Sequence, residues 1–274
     1  MKEITEATNS LPYYFSSLTW AEAEEVIKED PLLLLPIGTV EPHGPHGPLN
    51  TDLIISSETC IRASRKLRNM GMETLILPSV NYAVADYASC FPGSISISED
   101  GFKFLVKDIC LALINQGFSK IFFINNHFEP EHIKIIYSII DNIRKISGVQ
   151  ICYLDLTRKE RAELLGEEFK SGECHAGSYE TSLVMASDAN LIREKILNGL
   201  PYVPINLVEV IDKGMKDFKQ MGLNKAYCGS PAKASIEEGN RLYDTIVDFV
   251  VDSAVKYKQG SYTDAPGFYG NINT

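Results

Sequence analysis

The 274-residue chain holds five histidines, and their placement is the first clue to chemistry. His43 and His46 sit in the run Gly38-Thr39-Val40-Glu41-Pro42-His43-Gly44-Pro45-His46-Gly47-Pro48-Leu49-Asn50-Thr51-Asp52, which puts two carboxylates and two imidazoles in one loop. Glycine and proline fix an irregular backbone there, so these polar groups do not belong to a helix or strand surface. Glu, His and Asp together suit Zn²⁺, Mn²⁺ or Fe²⁺; the plain alternative is an ordinary polar loop. His127 and Glu129 lie in Asn125-Asn126-His127-Phe128-Glu129-Pro130. Two positions apart in an extended turn, they can face different partners, the divergence that two metals sharing a bridging carboxylate require. Glu129 could instead simply favour the start of the following helix, with Pro130 at its first position.

His175 lies in Glu173-Cys174-His175-Ala176-Gly177-Ser178-Tyr179-Glu180-Thr181-Ser182, a tight and accessible backbone. With no ligand-like neighbour at metal spacing, it fits a proton shuttle. Glu180 opens an apolar helical stretch (Leu183, Val184, Met185), where a carboxylate also caps favourably. His175 and Glu180 are the candidate catalytic pair. His132 falls inside an expected helix and reads as a surface or packing histidine.

The elements that must position these groups alternate. Apolar runs Leu32 to Ile37, Thr74 to Val80, Lys120 to Asn126 and Val149 to Asp155 predict strands. Helical spacing covers Leu53 to Asn69, Phe102 to Gln116, Glu131 to Ser147 and Tyr179 to Ala186. Capping boxes open at Thr19 and at Ser235, the latter leading a helix to about Lys258. Such alternation implies βαβ units and a parallel sheet covered on both faces. Ligands bind beyond the carboxyl ends of such strands, so residues just after Ile37 and Ile124 should line a site. Residues 200–232, broken by Pro201, Pro204, Gly214, Gly222 and Gly229, read as a long excursion near the site or an oligomer contact.

The net charge of -10 offers no basic footprint for nucleic acid or an anionic membrane. The start, MKEITEATNSLPYY, lacks an apolar core after a basic stretch and does not read as a signal peptide. Six scattered cysteines without a C-x-x-C pair suit reduced thiols in the cytoplasm. A small-molecule substrate is the expected partner.

These segments resemble the signatures of the creatininase (creatinine amidohydrolase) family. The first is similar to G-[ST]-x-E-x-H-G-x-H-L-P-x-x-T-D, with Gly47 where Leu is usual. The second resembles N-G-H-x-E, with Asn126 in place of Gly, and the third matches H-A-G-x-x-E-T-S from His175 to Ser182. Phe91-Pro92-Gly93-Ser94 resembles F-P-G-[ST], and Gly229-Ser230-Pro231 with Ala234 and Gly239 resembles a C-terminal G-x-P.

The resemblance implies a three-layer α-β-α fold with a mainly parallel central sheet, one domain over residues 1–274, and a ring-like homohexamer. It implies two divalent ions, Zn and/or Mn or else Fe. Glu41 and His127 would hold one, His43 and Glu129 the other, with Asp52 bridging. A metal-bridging hydroxide would cleave a C–N bond of an amide or cyclic amide, and His175 would pass a proton to the departing nitrogen. Family members acting on creatinine are similar in covering the ring with tryptophans, whereas Trp20 is the single tryptophan here. Aromatic cover would then come from Tyr82, Tyr87, Phe91, Phe128 or Tyr179. The alternatives are a sibling hydrolase, such as a formamide deformylase or a keto-inositol ring-opening hydrolase, and a non-catalytic binding protein. The last would show lost ligands, and all five candidates are present.

Overall fold

A computed structural model describes residues 14–263; residues 1–13, which hold nearly all of the stretch read above for a signal peptide, and 264–274 lie outside the described residues. Strand β1 (Leu32–Ile37) is buried along its whole length. It lies between β2 (Thr74–Ile76) and β3 (Lys120–Asn125), with β4 (Cys152–Leu154) beyond β3. Every pairing among them is parallel. The order β2-β1-β3-β4 reverses direction between β1 and β3, which is where such sheets open a ligand crevice.

Helices cover both faces. They are α1 (Trp20–Ile27), α2 (Thr51–Asn69), α3 (Glu99–Asn115), α4 (Pro130–Ser147), α5 (Ser178–Asp188) and α6 (Ile236–Lys258), with shorter turns between. Alternate strand side chains divide the core. Leu32, Leu34, Phe122, Ile124 and Leu154 pack with α2, α5 and α6, while Leu33, Leu35, Ile121, Phe123 and Tyr153 pack with α3 and α4. The period of two along each strand thus produces the three layers.

Two expected strands are shorter in the structure, each for a local reason. Pro78 has no N–H to donate, so β2 ends at Ile76 and the chain rejoins β1 only at the Val80 bridge. That lapse also accommodates Pro36 inside β1, because its backbone faces the β2 side, where Val80 N–H donates to Pro36 O. The fourth strand begins at Cys152 rather than Val149. Gly148 closes α4 in a left-handed turn, and Val149 N–H then turns to Ser147 Oγ. α2 starts at Thr51, two residues earlier than expected, which sets Asp52 in its first turn.

α5 and α6 meet at Gly239, where a Cβ would stand 1.9 Å from Ser182 O and 2.5 Å from Ser182 C. Backbone cannot yield as a side-chain tip can. Gly239→Ala is therefore expected to destabilise the chain by about 3 kcal/mol or more, read as a lower urea midpoint. An unchanged midpoint would mean that the two helices separate freely.

Candidate metal centre

The three motif loops converge beyond the carboxyl ends of β1 and β3. Glu41 and His43 follow β1, Asp52 enters from the first turn of α2, His127 follows β3, and Glu180 enters from the first turn of α5. All five are nearly solvent-free. Asp52 lies at the middle. Its Oδ2 accepts the Thr39 hydroxyl at 2.6 Å and stands 3.3 Å from His127 Nδ1, while Oδ1 is 3.1 Å from His43 Nε2. His127 Nδ1 is also 3.1 Å from Glu41 Oε1, and His43 Nε2 is 3.4 Å from Glu180 Oε2.

Among the described residues, three sets have donor atoms within 4.8 Å of one another: Glu41, Asp52 and His127; His43, Asp52 and Glu180; and Glu41, His43 and His175. Glu129 belongs to none of them. The expected pairing of His43 with Glu129 is not what the fold brings together, for a backbone reason. Glu129 ends the loop just before α4, where Tyr87 N–H donates to its Oε2 at 3.2 Å. It stands 3.9 Å from His127 Nε2, the ring nitrogen pointing away from Asp52. Glu180 occupies the place beside His43 instead.

The donor set fits divalent cations. His43 donates Nδ1–H to Glu41 O at 3.0 Å, and His127 donates Nε2–H to Val84 O at 2.9 Å. Each backbone carbonyl thereby selects a tautomer and aims the other ring nitrogen's lone pair inward. Glu41 Oε2, His43 Nε2 and Asp52 Oδ1 are buried without a hydrogen-bond partner. The 3.1 Å approach of His43 Nε2 to Asp52 Oδ1 is thus a close contact without hydrogen-bond alignment. Buried polar atoms with no protein partner, on residues whose donor atoms cluster within 4.8 Å, are what a cation satisfies.

The electrostatics separate the groups. Burial would lower His43, but the Asp52 and Glu180 carboxylates outweigh it and hold it at about 10. His127 is raised well above its ordinary value, because Glu41 and Asp52 overcome the burial that works against it. Burial opposes ionisation of Glu41 and Asp52, yet the imidazoles beside them keep both below the usual carboxylate range. Burial pushes Glu180 up to about 8 and Glu129 to about 7. His175 is lowered to about 4 by burial and by His43, whose ring centroid lies 4.6 Å away.

A cavity of about 300 Å³ opens over this cluster, with Glu41, Asp52, His127, Glu129, His175 and Glu180 on its wall. Aromatic cover differs from expectation. Tyr87 and Phe128 line the cavity, joined by Phe169 and Phe218. Tyr82 is 45% exposed, Phe91 lies under Lys219, and Tyr179 packs against Phe169 with its hydroxyl on Asn126. Phe218 stacks on His175 with centroids 4.4 Å apart, and Leu207 and Ile211 complete that wall. The 200–232 excursion therefore borders the site. His132 is fully buried, with its ring 4.9 Å from that of His127 and its Nε2 3.0 Å from Asn125 Oδ1, so it packs beneath the centre and not at the surface. Sequence reasoning passed over Thr39 and Asn126. The latter donates Nδ2–H to Glu180 Oε1 at 3.1 Å, and its departure from Gly was the available signal. Gly47 also has a local cause, since a Cβ there would lie 2.6 Å from His43 O.

The creatininase family model, described as creatinine amidohydrolase, matches residues 16–254. The chain belongs to the creatininase family. This creatininase-family hydrolase is 26% identical to creatinine amidohydrolase from Pseudomonas putida over 196 residues, 65% of this chain and 73% of that one. It is 24% identical to the mycofactocin precursor peptide peptidase of Mycobacterium ulcerans, covering 84% of this chain and 87% of the relative. A solved structure of Mn creatininase shares the fold at a TM-score of 0.73 and 23% identity, over 90% of this chain and 99% of that one. No helix among the described residues is long and apolar enough to cross a membrane.

Proposed function

We propose that the chain is a dinuclear metal-dependent amidohydrolase that cleaves the C–N bond of an amide or cyclic amide in a small molecule. One observation carries the reading: the two oxygens of Asp52 face two different imidazoles, each with its own further carboxylate. Glu41, Asp52 and His127 would hold one cation, and His43, Asp52 and Glu180 the other, with Asp52 shared. Zn and Mn both suit this donor set. Bound divalent cations supply Lewis-acid polarisation of a carbonyl and acidify water toward neutral pH.

The chain's own groups then handle protons. Glu129, held near pH 7 by its burial and free of the donor sets, takes a proton from the attacking water. His175 donates Nε2–H to Pro42 O at 3.1 Å, which leaves Nδ1 able to accept a proton and pass it to the leaving nitrogen. Glu180, read above as catalytic, is better placed as a ligand, fixed by Asn126 Nδ2–H and by Ala176 N–H at 2.7 Å. The reading includes one domain over the whole chain, working as a homohexamer in the cytoplasm. Family resemblance and six free cysteines support it.

The cavity also favours a second substrate shape. Tyr87, Phe128, Phe169, Phe218, Leu207 and Ile211 give the cavity of about 300 Å³ an apolar wall beside the donor cluster. An amide carrying an apolar side chain, as in a short peptide, fits that wall.

Cation titration tests the reading. Both ligating histidines are held protonated in the stripped chain and must be neutral to bind. Two equivalents of Zn or Mn per chain are expected, with release of roughly three protons at pH 7, two from the histidines and one from Glu180, which burial holds at about 8. Affinity should rise with pH from about 6.5 towards the His43 value of about 10. Calorimetry in buffers of different ionisation enthalpy counts the protons. The loaded chain should hydrolyse at least one member of a panel of lactams, cyclic ureas, formamides and dipeptide amides. Fewer than two equivalents, or no cleavage by a fully loaded chain, would defeat the proposal.

A further inference from the structure

Glu180 reaches the centre only because α5 begins where it does, and that beginning is held from outside the helix. Gly177 stands at the N-cap with no side chain to accept the first free N–H groups. Glu168, on the short turn Glu167–Lys170, supplies the acceptor. Its Oε2 takes Tyr179 N–H at 2.7 Å and the Ser178 hydroxyl at 3.0 Å. Its Oε1 takes Ser230 N–H at 2.6 Å, in the segment that leads to α6.

Two glycines make room for this carboxylate. A Cβ on Gly177 would lie 2.5 Å from Glu168 Oε2, and one on Gly229 would lie 2.2 Å from Oε1. Gly229 also has φ of +75°, a backbone conformation that side chains disfavour. Next to it, Cys228 N–H donates to His175 O at 2.9 Å. One carboxylate therefore ties together the start of the helix bearing Glu180 and the strap that holds the His175 loop.

We propose that Glu168 is a positioning residue for the second cation position, setting where Glu180 stands beside His43 and, through the Gly229 strap, where His175 stands over the cavity. Glu168 touches neither cation position and acts through Glu180. The inference rests on the two-cation reading above. Groups that orient ligands typically govern metal affinity by about 10–100-fold. The position formed by Glu41, Asp52 and His127 shares no hydrogen bond with Glu168, so the effect should be selective.

The experiment is Zn titration of the full chain, wild type against Glu168→Gln and Glu168→Ala, with thermal melts by circular dichroism to confirm folding. Glu168→Gln keeps the shape and loses one of the two strong acceptors, so it serves even if the alanine variant does not fold. The expected result is one equivalent bound as in wild type and the second weakened by at least about 10-fold, the alanine variant more than the glutamine one. Gly177→Ala, whose added Cβ would meet the Glu168 carboxylate at 2.5–2.8 Å and push it aside without removing it, should show the same selective loss. Both affinities within about twofold of wild type would overturn the inference, as would equal weakening of both in a folded variant. A wild-type chain that binds a single equivalent defeats the two-cation reading itself, and does so before any variant is made.

Discussion

Asp52→Ala is expected to strip both cations from the chain and to lower amide turnover by at least about 10⁴-fold. The two oxygens of Asp52 divide between the ring nitrogens, Oδ1 3.1 Å from His43 Nε2 and Oδ2 3.3 Å from His127 Nδ1, whereas Glu41 approaches both with the single atom Oε1, at 4.0 and 3.1 Å. Removing Asp52 would leave each of the two proposed cation positions with two protein donors instead of three. Elemental analysis after dialysis reads the loss directly. Thr39→Ala is the matching control, because it deletes the 2.6 Å hydrogen bond to Oδ2 and the 3.4 Å contact with His127 Nδ1 while leaving every donor side chain in place. Its effect should stay within the roughly 10–100-fold typical of a group that steadies a ligand. If Asp52→Ala kept one full equivalent, the positions would be independent and the shared carboxylate would not be a bridge.

Glu129→Gln should leave both cations in place and lower kcat by about 10²–10⁴-fold. The side chain lies outside every donor set, buried and anchored by Tyr87 N–H. Burial holds it at about 7, where a carboxyl exchanges protons most usefully. It works as a base when ionised, so wild-type kcat should fall as pH drops through its pKa, about 7 in the metal-free chain and lower with cations beside it, and that limb should vanish in the glutamine variant. Release of a cation on this substitution would instead place Glu129 among the ligands.

Most of the scaffold was legible from residue pattern. Unbroken apolar runs located β1 and β3, and glycines at 71, 117 and 148 marked where α2, α3 and α4 stop. The loops carrying His43, His127 and His175 could be singled out because their polar residues had no regular face to occupy. What pattern could not supply was direction. Glu129 and Glu180 are both carboxylates near a helix start. Only the tertiary course of α5, whose first turn lies against the β3 exit through Asn126, decides which one meets His43. Phe169 and Phe218 were missed for a related reason. They come from short or irregular segments with no periodicity, and they reach the cavity through long-range packing. The shortened strands were recoverable, since Pro78 and Gly148 stand in plain view.

The cavity wall and the donor cluster come from different kinds of structure. Glu41, His43, Asp52, His127 and Glu180 are set by strand ends and the first turns of long helices, which the buried core holds rigid. Leu207 and Ile211, on the short helix Leu207–Asp212, and Phe218, in the loop after it, come from a stretch tied to the rest by bonds such as Val203 N–H to Gly229 O and Phe218 N–H to Tyr87 O. Ala226 O takes Gly44 N–H at 2.7 Å beside His43 and so ties the end of the stretch to the donor loop, whereas the side chains of Leu207 and Ile211 reach only the cavity wall, where substitution can alter substrate fit while the donor atoms stay in place. Exchanging residues 204–216 between relatives, which leaves the Ala226 bond and Phe218 in place, is accordingly a laboratory route to altered selectivity.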